Sequence, residues 1–143
     1  MNVATILKQK GRAVATASPS TTLLDIANKL AAKRIGAMVI VGAGGEVAGI
    51  VSERDIIRML GSDGPQCLTR PVSESMTRAV VSCQESDTLE EIMSMMTARR
   101  FRHLPVVEDG ALVGIISIGD VVKHHIAEVE MEATAMREYI THS

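Results

Sequence analysis

Two seven-residue stretches, GIVSERD at 49–55 and GIISIGD at 114–120, repeat a glycine, a serine and an aspartate at one spacing. A hydroxyl and a carboxylate three residues apart can do two kinds of work. Where a strand hands over to a helix, Ser52 with Asp55 and Ser117 with Asp120 have the spacing of a capping box, in which each side chain satisfies a backbone N–H of the other residue. The same atoms also suit a ribonucleoside. A carboxylate offers two acceptor oxygens to the vicinal hydroxyls of a ribose, and a helix N-terminus favours a phosphate through its N–H groups and dipole. A phosphate beside either aspartate is repelled unless a cation takes it. Arg54 in the first loop, and Arg102 and His103 ahead of a strand in the second half, are the candidates.

The elements that position these loops follow from an internal repeat, for which self-similarity is the sign. Laying residues 13–41 over 79–107 sets Ala13 on Ala79, Thr22 on Thr88, Leu23 on Leu89, Ile26 on Ile92 and Arg34 on Arg100. One residue drops out of the glycine-rich turn at 42–45, and the match resumes with Gly49 on Gly114, Ser52 on Ser117 and Asp55 on Asp120. Each copy predicts an apolar strand (13–17; 79–83) and a helix capped by Thr22 or Thr88, with Asp25 or Glu91 three residues on. Leu23, Ile26, Ala27 and Leu30 keep helical spacing, as do Leu89, Ile92, Met93 and Met96. Two β-rich runs joined by a glycine-containing turn then read as a hairpin (37–41 with 47–51; 104–107 with 112–116), and a second helix starts at Ser52 or Ser117. The strands are apolar on both faces, so helices are expected on one side and a partner sheet on the other. The fold class is α/β (α+β), two βαββα units. The expected organisation is a first unit with its lead-in at 1–60, a linker at 61–71 rich in Gly, Pro, Ser and Asp, a second unit at 72–125 and a helical extension at 126–143. Residues 3–7 and 72–76 read as equivalent short helical lead-ins. Along the extension, Val122, Ile126, Val129, Ala133, Met136 and Ile140 alternate in steps of four and three, a seam suited either to the protein's own body or to a second copy.

Bulk composition excludes several classes. A formal net charge of −2, with Phe101 and Tyr139 as the aromatic residues, is not a nucleic-acid footprint. No apolar window reaches the length of a membrane span, and the opening residues do not read as a cleaved signal. Cys67 and Cys83 form no CxxC pair and read as small buried hydrophobes of a reducing cytoplasm. His124, His125 and Glu128 lack the HExxH pattern, and the turn at 42–45 lacks the Gly-Lys-Ser/Thr ending of a P-loop, so neither marks a metal or phosphate site. Ser117, His103 and Asp120 come with no nucleophile elbow, and no catalytic residue is assigned.

The segments STTLLDIANKLAAKRIGAMVIV and GIVSERDIIR, with ESMTRAVVS, DTLEEIMSMM and RRFRHLPVVEDGALVGIISIGDVVK in the second half, resemble a tandem pair of cystathionine-β-synthase (CBS) domains. The resemblance covers the chain up to the C-terminal extension. It implies two units packed sheet to sheet about a pseudo-twofold axis with helices outside, two clefts between them, and a homodimer. It also implies that Ser52, Asp55, Ser117 and Asp120 contact ribose or phosphate, and that Arg102 and His103 reach into a cleft. Carried over by position, Thr16 and Met38 would flank an adenine in one cleft and Val81, Cys83 and Pro105 in the other, with Ala37 and Gly119 leaving room. The expected function is non-catalytic sensing of an adenine nucleotide, AMP first, with NAD(H), ATP or S-adenosylmethionine as alternatives. Gly36 and Ala37 stand where the second copy has Arg102 and His103, and Arg54 where it has Gly119, so the clefts are expected to differ. The rival is an interaction scaffold whose loops are only helix caps.

Overall fold

The computed structural model describes residues 1–142. Its elements are α1 (Val3–Lys10), β1 (Thr16–Ala17), α2 (Leu23–Lys33), β2 (Ala37–Val41), β3 (Val47–Ser52), α3 (Glu53–Asp63), α4 (Leu89–Arg99), β4 (His103–Glu108), β5 (Ala111–Ser117) and α5 (Ile118–His142), with short 3-10 turns at Pro65–Thr69 and Val72–Glu74. The fold is mixed α/β. Thr22 and Thr88 cap α2 and α4 as expected, each accepting from the backbone N–H three residues on. Both helices close on an arginine in the left-handed conformation, Arg34 (φ 53°) and Arg100 (φ 59°), so the repeat extends to backbone torsions.

In the first unit β1 runs parallel to β2, and β2 antiparallel to β3. In the second, β4 and β5 form the hairpin, but the strand expected at 79–83 is reduced to a single bridge between Cys83 and Val106. The reason is chemical. Val39 donates its N–H to Ala15 O in the first copy, and the residue aligned with Val39 is Pro105, which has no N–H to give. Val81 is thereby left off the ladder.

Strand pleat sorts the hairpin side chains. Met38 and Ile40 point into a core with Leu23, Ile26, Leu30, Val51 and Ile56, while Leu104, Val106 and Ile116 join Leu89, Ile92, Met96 and Val121 in another. Val39 is fully buried outside both clusters, on the opposite sheet face.

The lead-ins are crossed. Val3, Ile6 and Leu7 of α1 are fully buried in the second unit's core, whereas Cys67, Val72 and Met76, on the segment leading into the second unit's hairpin and helices, complete the first unit's core. Backbone bonds fix the exchange: Val3 N donates to Asp87 O, Leu89 N to Met1 O, and Thr77 exchanges both bonds with Ile50. The motif glycines make the approach feasible. A Cβ on Gly49 would stand 2.5 Å from Met76 Sδ and 2.9 Å from the Thr77 carbonyl, and one on Gly114 would stand 2.7 Å from Leu7 Cδ2. Gly49→Ala is therefore expected to cost about 1–3 kcal/mol through overpacking against backbone, read as a lowered urea midpoint at unchanged slope. An unchanged midpoint would show that the contact does not constrain the fold.

Candidate functional site

The hand-over from β3 to α3 and that from β5 to α5 are built alike. Ser52 N donates to Asp55 Oδ2 at 2.8 Å and Asp55 N to Ser52 Oγ at 3.3 Å; Ser117 N donates to Asp120 Oδ2 at 2.9 Å and Asp120 N to Ser117 Oγ at 3.1 Å. Both are complete capping boxes. The first helical N–H of each is also taken, Glu53 N by Gly36 O and Ile118 N by Arg102 O. Anion recognition by a bare helix end is thus reduced, and arginine side chains are the cations left for the task.

Four of them converge. A cavity of about 480 Å³ lies between the units, in the size range of small-molecule sites. Arg54, Arg58, Arg100 and Arg102 line it against the carboxylates of Glu53 and Asp55, giving an excess of positive charge. Ile50, Ala79, Val80, Val81, Phe101 and Ile118 form its apolar wall. Of the residues expected from sequence, Ala37, Ser52, Arg54, Asp55, Val81, Arg102, His103, Ser117 and Gly119 line this cavity. Thr16, Met38, Cys83, Pro105 and Asp120 do not. Met38 and Cys83 point into the two cores because each lies one residue out of phase with the cleft-facing side of its strand or bridge. Thr16 is exposed on an edge strand and Pro105 is buried. Asp120 is engaged by Lys10 Nζ at 2.6 Å.

Glu53, Arg58, Thr77, Arg100 and Phe101 are cavity residues that sequence reasoning missed. Arg58 carried a signal, one helical turn beyond Asp55 on the same face; its Nη1 lies 3.4 Å from Asp55 Oδ1. Thr77 and Arg100 carried none, since the crossed lead-in and the left-handed helix end bring them in.

Gly36 makes room for the His103 ring, whose edge would lie 3.4 Å from a Cβ there. Burial lowers the His103 pKa from its usual 6.5; Glu53 and Asp120 oppose this, while Lys10 and Arg102 reinforce it. His103 is therefore a neutral imidazole at neutral pH, a hydrogen-bonding group of the cavity and not the cation expected from its sequence position. Cys83 is pushed up to about 12, by burial first and then by Asp87 and Glu108, so it remains a thiol. His124 is buried, and among the described residues no group of three His, Cys, Asp or Glu can hold a metal ion. No helix of the described residues is long and apolar enough to cross a membrane.

Between the lowered pKa of His103 and 6.5 the unfolded chain binds more protons than the native state, so stability is present above pH 6.5 and falls as pH drops through the folded pKa. Urea melts across pH 7.5 to 5, in wild type and His103→Asn, should show a slope over that window that the variant lacks; equal slopes would contradict the assignment.

The CBS domain model matches residues 11–62 and 72–126. A CBS-domain containing protein from Agrobacterium tumefaciens is 45% identical with a TM-score of 0.85, over 87% of this chain and 99% of that one. A CBS domain protein from Pyrobaculum aerophilum, complexed with AMP, is 25% identical with a TM-score of 0.75, over 84% and 89% of the two chains. The CBS domain pair of protein MJ0100, in complex with 5′-methylthioadenosine and S-adenosyl-L-methionine, is 25% identical with a TM-score of 0.78, over 87% and 99%.

Proposed function

The chain belongs to the CBS domain family, as a tandem pair, and from that premise we propose that it is a regulatory module whose inter-unit cavity takes an adenine nucleotide, AMP first. The observation that carries the reading is the joint presence of Asp55, four arginines and an apolar wall in one cavity. Asp55 Oδ2 is held by Ser52, while Oδ1 faces outward to an exposed arginine and is available to a ribose. The arginines take the phosphate and the apolar wall takes the base. AMP and adenosine derivatives occur in the Pyrobaculum and MJ0100 proteins, and that chemistry is consistent with this donor set. NAD(H), ATP and S-adenosylmethionine share the adenosine and remain in the test panel. The role is regulatory and not catalytic: both serines spend their hydroxyls within caps. Because the cavity is walled by both units, a ligand there favours one relation between them, a population shift that a protein partner can read. The buried, free cysteines Cys67 and Cys83 suit the cytoplasm.

AMP at 100 times its dissociation constant should stabilise the protein by about 2.7 kcal/mol, seen as a raised thermal midpoint. Asp55→Asn, which keeps an acceptor for the cap, should abolish the shift. No response to AMP, ATP, NAD(H) or S-adenosylmethionine would overturn the sensing role and leave the scaffold reading.

The module acts as a homodimer, and α5 is the element that supports this. Its burial ends at Val121 and His124; Val122, Ile126, Val129 and Met136, at four–three spacing, are about half exposed or more. These four side chains are therefore left largely uncovered by the protein's own body. The flanking charges distinguish two ways of pairing it. In a parallel pair Glu132 meets Arg137 of the second copy, whereas an antiparallel pair sets Lys123 near Arg137 and Glu130 on itself. Complementarity favours the parallel pair. Val129→Glu with Met136→Glu should convert a dimer to a monomer by light scattering while the AMP response persists. A monomeric wild type, or a double variant that stays dimeric, would remove α5 as the interface.

A further inference from the structure

Asp55 and Asp120 are equivalent in sequence but have different partners. Asp55 Oδ1 meets Arg58 Nη1 at 3.4 Å, from a side chain that is 75% exposed. Asp120 Oδ2 takes Lys10 Nζ at 2.6 Å, and the same ammonium donates to Ile115 O at 2.9 Å. The residue aligned with Ile115 is Ile50, whose carbonyl accepts the backbone N–H of Thr77, also at 2.9 Å. A lysine side chain thus stands in the second copy where the first has main chain.

A small insertion produces the difference. Leu7 seats on Gly114 as Met76 seats on Gly49, which makes those two lead-in residues equivalent. From Leu7 to Ala13 the chain needs residues 8–12, while from Met76 to Ala79 it needs only 77 and 78. The extra Lys8, Gln9 and Lys10 form the last turn of α1. That turn carries the ammonium over the Asp120 carboxylate.

We propose that Lys10 is a specificity-determining residue that occupies the Asp120 carboxylate in place of a ribose, confining the nucleotide to the Asp55 side. The inference rests on the nucleotide reading above. An exposed ion pair would contribute little, but both side chains here are mostly covered, and the bond is charge-assisted. A neutral ribose hydroxyl must displace a stronger, shorter bond than it can make. It would also turn Lys10 loose beside a cavity already rich in arginine. Burial pulls the Asp120 pKa up, and the hydrogen bonds from Lys10 and Ser117 more than offset it, so the carboxylate is held below its usual range. Occupation of the second loop, where it occurs, has to move the end of α1, whose Leu7 is part of the second unit's core. The repeat thereby yields one open loop and one closed by the chain itself.

Isothermal titration of the full chain with AMP tests this. Wild type is expected to take one AMP per chain, lost in Asp55→Asn. Lys10→Met, which keeps the packing of the aliphatic stem, should open a second site, tightened by about tenfold or more relative to wild type, the size expected for one competing charge-assisted bond. Asp55→Asn with Lys10→Met should then bind one AMP, and adding Asp120→Asn should remove it. Two equal sites in wild type, or a Lys10→Met protein that still binds a single AMP at Asp55, would overturn the role of Lys10 and leave the nucleotide reading intact. Failure of AMP to bind wild type and every variant, all of them folded by thermal melt, would overturn both.

Discussion

The crossing of the two lead-ins is the constraint on which the rest of the molecule depends. Neither βαββα unit closes its own core. The first is completed by Cys67, Val72 and Met76, the second by Val3, Ile6 and Leu7. Burial of these side chains is the nonspecific drive; the absence of a Cβ at Gly49 and Gly114 is what lets the crossing segments reach the sheet. The exchange ties the units at a defined separation, and the cavity is the space that this separation leaves. It also explains why a lysine from α1 lies over an aspartate 110 residues away in the chain.

In the Gly-x-x-Ser-x-x-Asp loops the cap and the proposed ligand contact draw on the same few atoms. The cap uses one carboxylate oxygen, one hydroxyl and two N–H groups, and so orients the aspartate rigidly at the mouth of a helix. The remaining oxygen of Asp55 stays outside the cap and faces Arg58. The cap therefore leaves an acceptor open at this position, although capping and ligand contact read as alternatives from spacing alone. The cost falls on the helix N-terminus, whose first N–H is already bound to Gly36 O. The arginines are consequently the positive charge that the cavity wall itself presents.

Much of this was legible in the residues. The repeat, the threonine caps of α2 and α4, both hairpins and the paired serine–aspartate loops depend on interactions within a few residues, and local pattern records them. Reading was poorer where a single atom decided the outcome. The strand at 79–83 looked as sound as its partner, yet the missing N–H of Pro105 removes a ladder bond. Met38 and Cys83 sat in the right segments, but a period of two turned them into the cores. His103 was counted as a cation, and burial makes it neutral. Thr77 and Arg100 reach the cavity through the crossed lead-in and a left-handed helix end, which local pattern does not record.

The duplicated loop, and with it the pseudo-symmetric mixed α/β fold, was determined by the sequence alone, because hydrophobic period, caps and turns are local and occur twice. Whether the two copies remain equivalent was decided only by tertiary structure. Alignment places Asp55 on Asp120 without distinction, and nothing near either residue announces Lys10. Equivalence breaks because the three extra residues of α1 are positioned by the core that Leu7 enters, not by their own neighbours in the chain. A charge can choose between two identical motifs only once packing has carried it to one of them.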